Sequence, residues 1–110
     1  MRESKRKRLA AKGWKIGNAT EFLGLSSEEE AYVELKLRLA DGLRKRRLKS
    51  RLTQQELAKA VRSSQSRVAK MEAGDPTVTV DLLVRSLLAL GASRREVARI
   101  ISSSDALPAA

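Results

Sequence analysis

Within "TQQELAKAVRSSQSRVAKMEAGD", Thr53 to Asp75, the side chains able to do chemistry are amides, hydroxyls and cations: Gln54, Ser64, Gln65, Ser66, Arg67 and Lys70. No nucleophile stands beside a base. The chain holds no His and no Cys, which removes imidazole general bases, thiolate nucleophiles and His or Cys metal sites. Hydrogen bonding at several depths is what remains. A Gln amide can pair bidentately with the edge of adenine and an Arg guanidinium with that of guanine, while Ser and Lys reach to other distances. Ser66 and Lys70 are spaced i, i+4 and share one helical face, with Gln65 and Ser66 near the amino end of that helix. Val68 and Met71 supply an apolar stripe to seat it. A merely solvated polar surface is the plainer alternative. Ser or Thr paired with Glu in this chain reads as helix capping rather than as a catalytic dyad, so neither an enzyme nor a cofactor is expected.

Helix signals on either side define the elements that must hold these residues. Thr53 with Glu56 forms a capping box that opens a second helix over about 53–61, with Leu57, Ala58 and Val61 inward. Arg62 to Ser64 is the turn. Ser64 is a natural N-cap for a third helix, about 64–73, and Gly74 stops it. Upstream, Ser26 with Glu29, or Ser27 with Glu30, opens a first helix whose early glutamates suit its positive end. Val33, Leu37 and Ala40 form one stripe and Leu35, Leu39 and Leu43 an adjacent one, carrying that helix to about Lys49. Downstream, "DPTVT" is a loop because Pro76 blocks helix continuation. Thr79 caps a fourth helix, Val80 to Leu90, closed by Gly91, and Ser93 with Glu96 opens a fifth, Arg94 to about Ser102. No strand-like alternation competes. The expected fold is all-α with five helices over residues 26–102. Residues 1–25 read as a basic arm with a short extension containing Trp14 and Phe22, and 103–110 as a tail.

Composition fits one small domain of 110 residues, with one Trp, one Tyr and one Phe, so the core must come from Leu, Val, Ile and Ala. Lys and Arg number 23 against 13 Asp and Glu, a net charge of +10. The positive charge gathers in "RESKRKRLAAKGWK" and in "LRKRRLKSRL". Such a field favours an anionic polymer, nucleic acid above all. The run Arg44 to Arg51 reads as a solvated helix end with one or two phosphate contacts, Arg51 among them. Gln54, beside the free N–H groups at its helix start, is a candidate phosphate anchor, with an exposed helix former as the alternative. No apolar run approaches the roughly 20 residues of a membrane span, and no hydrophobic signal segment follows the basic start. A cytoplasmic protein is expected, associated with the nucleoid when bound to DNA.

The segments "LTQQELAKAV", "SSQSRVAKMEAGD" and "LLVRSLLALG" resemble the helix-turn-helix of the XRE family, the lambda-repressor and Cro type, over about Leu43 to Leu90. "QSRVAKMEAGD" is particularly similar to HigA-type antitoxins. The resemblance implies a five-helix lambda-repressor-like domain that binds double-stranded DNA. It aligns Ser64, Gln65, Ser66 and Lys70 with positions that meet bases, Arg67 with one that reaches base or phosphate, and Gln54 with a phosphate-binding Gln. It makes Arg47 and Glu72 a structural ion pair between the first and third helices. Arg62 stands where the family usually has Gly in a left-handed turn, and a phosphate contact is the functional reason to keep it.

Partners follow from the fourth helix, whose Leu82, Leu83, Val84, Leu87, Leu88 and Leu90 cover more circumference than one core face needs. A homodimer interface through Val84, Leu88, Val97, Ile100 and Ile101 is expected, with packing against Trp14, Phe22 and Leu25 as the alternative. The leading function is a dimeric repressor reading a palindromic operator. The alternative is an antitoxin of a HigBA-type module that neutralises a RelE-like toxin, for which Glu28, Glu29, Glu30 and Glu34 form the complementary patch, and that represses its own operon.

Overall fold

The computed structural model describes residues 26–103 and Leu107. Among the described residues five helices follow one another: α1 Ser27–Lys49, α2 Gln54–Ala60, α3 Gln65–Ala73, α4 Val80–Ala89 and α5 Arg94–Ser102. Among the described residues there is no strand, and no helix is long and apolar enough to cross a membrane. The expected basic arm and the packing of Trp14, Phe22 and Leu25 lie outside the described residues. Contacts divide the chain into two units, Met1–Leu35 with Ala106–Ala110 and Lys36–Asp105. In the first, the described residues are the start of α1 and Leu107. The second holds the rest of α1 and α2 to α5.

Each helix begins where a side chain takes up backbone N–H groups that have no partner within the helix. At α1, Ser26 Oγ accepts from Glu29 N at 3.2 Å and Glu29 Oε1 from Ser26 N at 3.0 Å, which selects Ser26 over Ser27 as the cap. Thr53 with Glu56 and Ser93 with Glu96 complete the same reciprocal box at α2 and α5. Ser64 and Thr79 cap α3 and α4 with one bond each, to Arg67 N and Leu82 N.

The first four helices end alike. After each, one N–H reaches back three residues and the next reaches back five: Arg51 and Leu52 to Leu48 and Arg47, Arg62 and Ser63 to Lys59 and Ala58, Gly74 and Asp75 to Met71 and Lys70, Gly91 and Ala92 to Leu88 and Leu87. This is the Schellman closure, which needs its penultimate donor in the left-handed region. Gly74 and Gly91 adopt it at φ 73° and 89°, and so do two arginines, Arg51 at 59° and Arg62 at 57°.

The core is aliphatic, as the scarcity of aromatics requires. Leu39, Leu43, Leu57, Val68, Met71, Leu83 and Leu87 are fully or almost fully buried. They come from α1 to α4, and Val97 of α5 joins them. Ser86 is also buried, its hydroxyl donating to Met71 Sδ at 3.6 Å. A Cβ on Gly42 would stand 2.9 Å from two carbons of Ile100, so α1 and α5 approach closely there.

Candidate nucleic-acid interface

Helices α2 and α3 pack on each other across the Arg62 turn. Leu57, Ala58, Val68 and Met71 point into the core, while on α3 Ser66 and Lys70 stand exposed opposite that stripe and Gln65 and Arg67 stand exposed at its edges. Burial of the Val68–Met71 stripe therefore orients the polar face outward without any ligand. Ser64 is exposed and is already engaged locally, since its Oγ accepts from Arg67 N at 3.1 Å and lies 3.4 Å from Ser66 Oγ. Its hydroxyl caps the helix at the same end where it was expected to meet bases. Arg62 is exposed beside the turn.

Behind the exposed face runs a connected set of polar groups. Arg47 Nε and Nη2 donate to Glu72 Oε2 and Oε1 at 2.6 and 3.0 Å, and Arg47 Nη1 donates to the Leu52 carbonyl at 2.8 Å. The pair is largely buried, with side-chain exposure of 12% for Arg47 and 4% for Glu72. Hydrogen bonding to Glu72 raises the Arg47 guanidinium above its ordinary value, against the opposing effect of burial and with help from the carboxylate's charge. Gln54 Nε2 donates to the same Glu72 Oε1 at 3.2 Å, and Gln65 Nε2 donates to Gln54 Oε1 at 2.7 Å. Gln54, expected as a phosphate anchor, thus has both ends of its amide engaged inside the motif. The sequence reading missed this link. Its signal was the spacing of Gln65 and Glu72, two turns apart on one face of α3, opposite a Gln at the start of α2.

The basic run at the end of α1 divides into two populations. Arg46 is half-buried: Nε donates to the Leu90 carbonyl at 3.1 Å and Nη1 to Glu96 Oε2 at 3.4 Å, tying α1 to the end of α4 and the start of α5. Arg46 and Arg47 are thus internal struts, whereas Arg44, Lys45, Lys49 and Arg51 are exposed. Lys45 pairs with Asp41 at 2.9 Å.

Of the residues expected at a dimer surface, Val97 is buried in the chain's own core and has little surface left for a partner. Ile100 is half-buried against Gly42, and Val84 is half-buried. Leu88 and Ile101 remain exposed, at 45% and 37%.

Compared with known families, residues 38–100 match the helix-turn-helix domain. No curated protein and no solved structure matches the chain. Members of this family are typically non-enzymatic DNA-binding proteins. The matched segment spans α2, the turn and α3 and covers more than half of the 110 residues. The chain belongs to the helix-turn-helix domain family, consistent with an XRE-like DNA-binding regulator.

Proposed function

We propose that the protein is a sequence-specific transcriptional repressor that binds operator DNA as a homodimer. The observation that carries this reading is the outer surface of α3, where Gln65, Ser66, Arg67 and Lys70 are exposed while Val68 and Met71 are buried. A rigid helix with that division fits the major groove while α2 lies across the backbone. Base contacts from Gln65, Ser66, Arg67 and Lys70, with Ser64 at the helix start, supply the choice of site. Arg51 and Arg62, exposed at the two ends of α2, supply phosphate contacts, as does Gln54 through its backbone N–H or its second amide hydrogen. Leu88, Ile101 and the exposed part of Val84 form the core of the dimer contact. Two-fold symmetry then presents two copies of α3 about 34 Å apart, one DNA turn, and calls for a palindrome. Occupying a promoter operator excludes polymerase, which is repression in its simplest form.

Fluorescence anisotropy against duplex from the chain's own upstream region tests the reading. Binding tighter than to shuffled duplex, falling steeply between 50 and 200 mM salt by roughly a thousandfold if six or more phosphates are neutralised, is the expected result. Equal, salt-insensitive binding to both duplexes refutes it. The antitoxin reading draws on the motif's likeness to HigA-type proteins and on exposed Glu28 and Glu29 at the start of α1. A small basic toxin frame beside the gene, and co-purification of its product with this chain, would favour it.

A further inference from the structure

We infer that the outer face of α5 is a second nucleic-acid surface: Arg95 and Arg99, with Arg94 at the edge, take the phosphates of a second DNA segment while α3 occupies the first. The inference rests on the reading of α3 as the helix that enters the groove. It starts from charges that the fold itself does not use. Arg94, Arg95 and Arg99 are exposed, and among the described residues no carboxylate pairs with any of them. Glu96, the one acidic residue of α5, is turned to Arg46 and to the Ser93 N–H. Two placements are unfavourable without a partner. Arg94 and Arg95 stand in the first turn of α5, at the positive end of the helix, and Arg95 and Arg99 are like charges spaced i, i+4. A polyanion relieves both.

The face looks away from α3. On α1, Leu37 and Arg47 meet α3, the first where a Cβ on Gly74 would stand and the second through Glu72. Each is five positions from Gly42, about 140° around α1 on either side. Gly42 therefore marks the far side of α1, and there it meets Ile100 of α5. On α5 itself Val97 is buried and Ile100 half-buried. Arg95 and Arg99 each lie two positions from Val97, within about 20° of the opposite direction. Ile101, proposed for the dimer contact, shares the Arg94 edge of the helix and stands on a different side from Arg95 and Arg99.

Duplex DNA fits this face better than an acidic protein does. Beside the arginines stand only Ala98 and Ser102, with no aromatic or large aliphatic anchor of the kind that centres protein contacts. Protein–DNA interfaces are polar and strongly positive. Guanidiniums pair with phosphate oxygens whatever the base, so the contact is blind to sequence. A repressor seated on its operator through α3 thereby tethers another stretch of duplex through α5.

The experiment uses the full chain, loaded on bead-bound duplex from its own upstream region and then offered a labelled duplex of unrelated sequence. Capture of the labelled duplex is expected, with affinity falling roughly tenfold between about 50 and 200 mM salt if two phosphates are neutralised. Arg95→Gln with Arg99→Gln should abolish capture, leave loading on the beads unchanged and raise Tm slightly, because the unfavourable placements are relieved. Arg95→Lys with Arg99→Lys should retain capture. Loading without capture, or capture undiminished in the double Gln variant, overturns the inference and leaves the regulator reading intact. Binding of polyglutamate in place of duplex assigns the face to an acidic protein and overturns the inference as well. Failure to load the upstream duplex in preference to a shuffled one overturns both.

Discussion

Four helix ends in this protein share one hydrogen-bond pattern and one backbone conformation, yet two are closed by glycine and two by arginine. Gly74 and Gly91 end α3 and α4, whereas Arg51 and Arg62 bracket α2, the helix proposed to lie across the DNA backbone. Holding an L-residue in the left-handed region costs about 1–2 kcal/mol relative to its usual conformation. At Gly74 a Cβ would lie 2.7 Å from Leu37 Cδ2, so the end of the Leu37 side chain would have to shift to admit it. At Arg51 and Arg62 an L side chain carries that strain, and both side chains are exposed cations. The difference teaches that one closure geometry is reached by residues of unlike cost, strained at the two arginines and unstrained at the two glycines.

The Arg51 end is also braced. Leu52 N donates to the Arg47 carbonyl while Arg47 Nη1 donates to the Leu52 carbonyl, and Glu72 holds the same guanidinium. Glu72→Ala removes the brace and leaves a largely buried cation unpaired. A loss of about 3 kcal/mol or more is expected in urea unfolding, and a loss near that of a surface substitution would show that the brace does not support this end. Next in size, Gly74→Ala combines left-handed strain with overlap on Leu37 and should cost about 2–3 kcal/mol. Gly91→Ala meets only Arg46 Nη2 at 3.7 Å, and should cost about 1 kcal/mol. Equal losses at the two glycines would mean that space at Gly74 is not limiting.

The arginine ends should respond in the opposite sense. Arg62→Gly and Arg51→Gly each relieve strain, offset by the greater freedom of glycine in the unfolded chain, for a net gain of about 0.5–1 kcal/mol. A rise of a few degrees in Tm should accompany weaker DNA binding, with the slope against log salt reduced by about one per arginine that contacts phosphate. Higher stability with unchanged DNA affinity would leave the two arginines without the role assigned to them.

The smallest effect concerns acid. Thr77 holds Asp75 below the usual carboxylate range, first through its hydroxyl and then through its N–H. The Ser93 N–H, followed by the charge of Arg46, does the same for Glu96. Because both values are lower in the folded chain, their contribution is complete above the ordinary carboxylate range and disappears as the pH falls below that range and through the lowered values. Glu96→Gln should flatten the fall of Tm in that window, and an unaltered profile would show that this cap is not coupled to folding.

Much of this was legible in the sequence because it is local. The Thr53–Glu56 and Ser93–Glu96 boxes, the Thr79 cap and the stops at Gly74 and Gly91 lie within a few residues of what they control, and the helix bounds follow them closely. Arg62 in a left-handed turn was readable through family resemblance, as was the Arg47–Glu72 pair. Arg51 in the same conformation was not, because a cation in a basic run at a helix end looks like any solvated neighbour. Arg46 was hidden likewise, since its partners Leu90 and Glu96 lie more than forty residues away. Of the Gln54–Gln65–Glu72 link only the two-turn spacing of Gln65 and Glu72 shows in the sequence; that Gln54 stands within reach of both depends on the distance between two helices, which periodicity does not encode.

The most direct test of the central claim is methylation interference on a duplex that the chain binds, because methyl groups at guanine N7 obstruct the major groove and those at adenine N3 the minor groove. Interference confined to guanine N7 in two patches one helical turn apart, reduced by Lys70→Ala and Arg67→Ala, is the predicted result. Interference at adenine N3 alone, or none at a site that still binds, would contradict an α3 seated in the major groove.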